Sequence, residues 1–267
     1  MPVEEGHRSL VHAGRTVTVP FALFLPPQTP TAAILLLHGF GGTRWHHRNL
    51  AERCSANGVA VLTPDMVSLL PGDGARDTNV LLAVQHMQWL SARFGVELGI
   101  GGHSAGGGIA IEAQVACAEN GIKISALLLL DAVGSSDGGG RPGPEPPTRT
   151  MRVAAQRCPP PTLSLRAEPG GWNAYGNILH LLRVWRALQP SICDVKLVGA
   201  SHIDPVGPMP WVARAFLGWH AEAHELFIRL SVEFLLAAIA KPDAGLHFDT
   251  TALTSELVRA GRVVCDL

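Results

Sequence analysis

Three residue types at separate strand ends could do acyl-transfer chemistry: one serine, one histidine and one carboxylate. The serine is Ser104, in "GIGGHSAGGGIA" (99–110). Gly102-His103-Ser104-Ala105-Gly106 fits G-x-S-x-G, with an apolar strand pattern before it and a helical pattern after it. In such an elbow the serine sits on a sharp, strained turn, and glycines at ±2 remove side chains that would strike the neighbouring strand and helix. The hydroxyl then stands at a helix N-terminus, where unpaired N–H groups favour developing negative charge. A glycine-rich helix start with a capping serine is the plainer alternative, and the strand–turn–helix context favours the catalytic one. Gly107 and Gly108 add two further helix glycines, each costing about 0.5–1 kcal/mol against alanine, which close packing on the sheet would explain. A phosphate-binding glycine loop is the rival at this elbow, but the G-x-G-x-x-G spacing is not met there and a serine stands at the turn.

A serine nucleophile needs two N–H donors for the tetrahedral oxygen and a base within hydrogen-bond reach. "LLLHGFGG" (35–42) closes an earlier strand, so the N–H groups of Phe40 and Ala105 are the candidate oxyanion donors. His38 in that stretch reads as a structural hydrogen-bonding residue. Among the 12 histidines, His202 follows a late strand in "DVKLVGASHID" and is the candidate base. His46 and His47 are adjacent and would point apart on a helix, which disfavours a metal pair. His180 reads as mid-helix packing. His220 and His224 share a possible i, i+4 face, yet only Glu222 and Glu225 stand near to complete a metal site.

The elements that must hold these residues alternate. Strand patterns cover 15–27 (broken by Pro20), 31–42, 58–66, 96–104, 123–134, 161–168 and a last strand at 193–202. Helical patterns cover 45–57, 77–93, 105–120, 174–189 and 221–240. Continuous apolar strands alternating with amphipathic helices imply an α/β fold: a mostly parallel central sheet with helices on both faces. A length of 267 residues suits one domain over 1–267. A Gly/Pro-rich loop at 135–161 and a Pro/Trp-rich loop at 203–222 are candidates to cover the site. The 241–267 tail has some amphipathic character and no assigned role.

Composition narrows the function classes. Charged residues are 16% and the formal net charge is −1, which gives no reason to expect nucleic acid or an anionic membrane. No apolar run reaches a membrane span of about 20 residues. The start "MPVEEGHRSL" has no apolar signal core, and five cysteines without a C-x-x-C pair read as free thiols, so a cytoplasmic setting is expected.

Through "HGFGG", "TPD", "GGHSAGG" and "GASH", residues 30–240 resemble an α/β-hydrolase. That resemblance implies a serine hydrolase working through an acyl-enzyme, with a small-molecule ester as substrate and no metal or organic cofactor. In most relatives the acid follows the strand before the histidine strand, but here that turn reads "LSLRAEPGGWN", with Gly170 near the acid's usual place and Glu168 as the only carboxylate. One strand earlier, "ALLLLDAVGSS" ends an apolar run with Asp131, whose burial would be costly without a partner. Chlorophyllase-like enzymes take their acid from this strand, and the local text is similar to theirs. Asp131 is therefore favoured over Glu168. Their elbow usually carries arginine after the serine where this chain has Ala105, so the triad layout is carried over and the pigment substrate is not.

Trp45, Trp172, Met209 and Trp211, with Phe40, are candidate walls for an apolar acyl or alcohol group, although core packing explains any one of them equally well. A thioesterase or acyltransferase with the same triad, and a non-catalytic binding protein on the same fold, remain alternatives.

Overall fold

Nine strands are found among the described residues: β1 (Val3–His12), β2 (Arg15–Phe24), β3 (Ala32–Leu37), β4 (Val59–Pro64), β5 (Glu97–His103), β6 (Ala126–Leu130), β7 (Thr162–Arg166), β8 (Ile192–Leu197) and β9 (Val263–Cys265). The computed structural model describes residues 2–12, 14–67, 75–134, 154, 158–171, 173, 176–189, 191–209, 211, 217–240 and 250–265. The strands form one sheet in the order β1-β2-β4-β3-β5-β6-β7-β8-β9. From β4 across to β8 all neighbours are parallel, while β1–β2, β2–β4 and β8–β9 are antiparallel.

The central strands are apolar on both faces because both faces are covered. Alternate side chains point to opposite sides. Leu35, Leu37, Ile100, Leu127 and Leu129 pack in one cluster with helices α2 (Ala75–Phe94), α3 (Ala105–Glu119) and α4 (Gly176–Leu188). Ile34, Leu36, Val61, Leu128 and Leu130 pack in the other with α1 (Arg48–Ala56) and α5 (Ala221–Leu235). A π-helical turn, Leu236–Ala240, continues α5, and α6 (Thr250–Arg259) leads into β9.

Four expectations change. The N-terminal stretch, polar in sequence, is β1, paired with β2 over its whole length. Pro20 does not break β2; it sits opposite His7 and accepts the N–H of Asp65 at 2.8 Å, a position that asks for no donor. β8 is not the last strand, because β9 adds antiparallel to it. Helix α1 starts at Arg48, so His46 and His47 lie in the turn before it, where Trp45 and Thr43 carbonyls accept N–H groups. Most of the 135–161 loop, part of the 203–222 loop (210, 212–216) and 241–249 lie outside the described residues. No helix among the described residues is long and apolar enough to cross a membrane.

Candidate active site

Ser104 occupies a one-residue bend between β5 and α3. Its φ is 54° and ψ is −125°, a conformation that costs a non-glycine residue about 1–3 kcal/mol. The surroundings hold it there. Ser104 N–H donates to Leu130 O at 3.1 Å, and Ser104 O accepts from Gly107 N at 3.0 Å and Val133 N at 2.9 Å. A Cβ on Gly102 would come 2.5 Å from Gly106 C and O, and one on Gly106 would come 2.5 Å from Leu37 O. The two extra glycines are explained too: a Cβ on Gly107 would overlap the Ala132 methyl, and one on Gly108 would lie 2.6 Å from Val133 O. Helix α3 therefore rests on the chain just past β6, the segment that carries Asp131.

Asp131 also has positive φ, 41°, and is 3% exposed. Its carboxylate is satisfied from three directions. Oδ1 accepts Ala167 N–H at 3.0 Å; Oδ2 accepts Asn173 Nδ2 at 2.9 Å and His202 Nδ1 at 2.6 Å. The other ring nitrogen, His202 Nε2, lies 3.0 Å from Ser104 Oγ. With Nδ1–H donating to the carboxylate, Nε2 presents its lone pair to the hydroxyl. Such a relay can remove the Oγ proton while the carboxylate stabilises the imidazolium that forms. Glu168 turns elsewhere: its carboxylate lies 3.4 Å from Lys196 Nζ. Gly170, near the place where most relatives carry the acid, donates its N–H to Asn173 Oδ1 at 2.5 Å.

The loop that carries His202 is fastened at several points. Buried Asp204 accepts Ser201 N–H at 2.7 Å and His220 N–H at 2.6 Å, and its carbonyl accepts His224 Nδ1–H at 2.7 Å. Gly207 N–H donates to His46 O at 2.8 Å, and Trp219 Nε1 donates to Val206 O at 2.9 Å. His224 Nε2 accepts Asn49 Nδ2 at 2.9 Å, and His220 Nδ1 lies 3.1 Å from Asp204 Oδ2, so this pair serves the loop.

Over Ser104 lies the 39–42 turn, closed by Gly42 N–H to Gly39 O at 3.1 Å. A Cβ on Gly39 would stand 2.9 Å from Ser104 Cβ. The N–H groups of Phe40 and Ala105 have no hydrogen-bond partner among the described residues. His38 braces this turn: Nδ1–H donates to Gly39 O at 2.8 Å, and Nε2 accepts Met66 N–H at 2.9 Å. Burial holds its pKa below the usual imidazole value.

A model of the alpha/beta hydrolase family matches residues 34–263. The chain belongs to the alpha/beta hydrolase family. Among solved structures, the dienelactone hydrolase of Anabaena variabilis ATCC 29413 is 20% identical, with TM-score 0.57, over 89% of this chain and 99% of that one. An esterase of Rhizomucor miehei is 16% identical, with TM-score 0.65, over 91% and 86%. Carboxyl esterase 2 of Tuber melanosporum is 17% identical, with TM-score 0.62, over 87% and 85%. A search of curated proteins found no match.

The remaining expected residues of this alpha/beta hydrolase fall in different places. Phe40 is exposed in the 39–42 turn, next to Gly39, which approaches Ser104 Cβ. Trp45 is partly buried, meeting Phe24 edge-on at 6.2 Å with the Arg44 guanidinium 5.3 Å from its ring, which is the packing alternative for that residue. Met209 is partly buried and Trp211 is 79% exposed, both beyond the His202 loop. Trp172 and the His180 side chain lie outside the described residues. The rings of His46 and His47 face different neighbours, His38 at 6.4 Å and His103 at 6.1 Å. Sequence reasoning missed Asn173, Asp204 and His103. Asp204, two residues past His202, and His103, inside the G-x-S-x-G run, were open to inspection; nothing local marks Asn173.

Proposed function

We propose that the protein is a serine hydrolase of carboxylic esters with small or medium apolar groups, acting through an acyl-enzyme. The observation that carries this reading is the unbroken relay of 2.6 Å from Asp131 Oδ2 to His202 Nδ1 and 3.0 Å from His202 Nε2 to Ser104 Oγ. Ser104 Oγ attacks the ester carbonyl as His202 Nε2 takes its proton. The Phe40 and Ala105 N–H groups receive the oxyanion, helped by the positive end of α3. Protonated His202 then hands its proton to the leaving alcohol oxygen. Water attacks the acyl carbon, His202 accepts the water's proton, and the departing Ser104 oxygen recovers it. Asp131 fixes the ring tautomer and stabilises its charged form throughout. No step calls for a metal or organic cofactor. Exposed Phe40 in the 39–42 turn, with Met209 and Trp211 beyond the histidine loop, supports an apolar substrate group. Three of the five free cysteines are buried, which supports a reducing, cytoplasmic setting.

The test is a series of p-nitrophenyl esters of increasing acyl length, run with wild type and Ser104→Ala and paired with fluorophosphonate labelling. Hydrolysis by wild type alone, with the label on Ser104, is expected. A folded wild type that neither turns over any ester nor takes the label overturns the reading. Acyl transfer to an added alcohol or thiol faster than to water would move the assignment to an acyltransferase.

A further inference from the structure

The ring packed against His202 belongs to His103, and the hydrolytic steps above give it nothing to do. His103 is the last residue of β5 and is 5% exposed. Its Nε2 lies 2.7 Å from the carbonyl oxygen of His202. A carbonyl only accepts, so Nε2–H is the donor. The two rings approach to 4.8 Å between centroids at 38°. The His47 ring stands 6.1 Å from the His103 ring, edge to face, and a Cβ on Gly39 would lie 3.1 Å from His103 Nδ1. The imidazole is thus enclosed by the oxyanion turn, the turn before α1 and the base itself. Burial among other imidazoles holds it neutral, with its pKa well below the usual value.

We propose that His103 is a positioning residue for the base: two consecutive residues of the elbow grip His202 at two points, Ser104 Oγ at the ring and His103 Nε2–H at the backbone carbonyl. The proposal rests on the reading of Ser104 and His202 as nucleophile and base. An imidazole carried on a loop goes where the loop goes, and a displacement of about 1 Å can cost roughly 100-fold in rate. The Asp204 contacts fasten this loop to α5 and its approach. The His103 bond refers it to the same rigid strand end that carries the nucleophile.

The experiment compares wild type, His103→Leu and His103→Gln on one p-nitrophenyl ester. Glutamine can place an amide N–H where Nε2–H stands; leucine only fills space. His103→Leu should lower kcat by about 10- to 100-fold with KM changed less than about threefold, and His103→Gln should recover much of the loss. Unchanged kcat in His103→Leu, an equal fall in both variants, or a loss confined to KM would each overturn the proposal. If the variants do not fold, 15N NMR of the wild-type ring decides: a proton resident on Nε2 across the active pH range supports the bond, and one on Nδ1 refutes it. A wild type without esterase activity or Ser104 labelling brings down the parent reading. An active wild type with an indifferent His103→Leu brings down this one alone.

Discussion

Asp131 reaches His202 Nδ1 at 2.6 Å from the end of β6, one strand before the turn that holds Glu168. The carboxylate is buried, and Glu168 is 39% exposed beside Lys196. An exposed pair of that kind contributes about 0–1 kcal/mol. Asp131→Asn should therefore lower kcat by about 10³- to 10⁴-fold, because an amide no longer favours the tautomer with a free Nε2 lone pair. Glu168→Gln should leave kcat within about twofold, in keeping with the small worth of its pair. Initial rates of ester hydrolysis on both variants check the pair, and the opposite ranking would assign the acid to Glu168.

Asn173 connects the two turns. Its Nδ2 donates to Asp131 Oδ2 at 2.9 Å and to Glu168 O at 2.8 Å, while its Oδ1 accepts Gly170 N–H. The turn after β7 thus supplies hydrogen-bond donors to a carboxylate that comes from β6. A hydrogen bond to a charged group is worth about 1.5–3 kcal/mol. Asn173→Ala should reduce kcat by about tenfold, and Asn173→Asp by more, since a second carboxylate would then face Asp131. Steady-state kinetics on folded variants decide this; equal activity of Asn173→Asp and wild type would show that the bond does nothing for the base.

Gly106 is required by space. A Cβ there meets the backbone oxygens of His38 and, at 2.5 Å, of Leu37, whereas one on Gly171 meets nothing within 4 Å among the described residues. Neither contact at Gly106 is with a yielding side-chain end. Gly106→Ala should cost about 1–3 kcal/mol or prevent folding, and Gly171→Ala should fall within about 0.5 kcal/mol of wild type. Urea midpoints of the two variants give the comparison; a Gly106→Ala protein as stable as Gly171→Ala would mean the elbow relaxes freely.

Much of this arrangement was legible in the chain because the responsible signals are local. Continuous apolar runs marked β3 to β8, and glycine at 102 and 106 marked the bend at Ser104. A carboxylate at the end of the buried Ala126–Leu130 run announced that Asp131 needed a partner. Long-range partners left no such trace. β1 carries Glu4, Glu5, His7 and Arg8 and is a strand because β2 pairs with it, and β9 is three residues added to β8. Asn173 and His103 owe their roles to contacts with residues 42 and 99 positions away. The alternative roles for Trp45 were equally compatible with its sequence context, and only its T-shaped contact with Phe24 distinguishes them.

His47 and His86 make the protein acid-sensitive. Both are buried, and desolvation is the main reason their pKa values fall from 6.5 to about 3. Above pH 6.5 the rings are neutral whether the chain is folded or not. As pH drops below that value the unfolded chain takes up protons that the folded one refuses, so stability falls until the folded pKa is reached. Between pH 6.5 and 5.5 the two rings together should cost about 2 kcal/mol. His86→Leu removes one proton acceptor from the unfolded chain and should abolish about half of that fall. Urea unfolding of wild type and variant at both pH values measures it. Parallel losses in the two proteins would mean that His86 titrates alike in both states and is not the buried neutral ring described above.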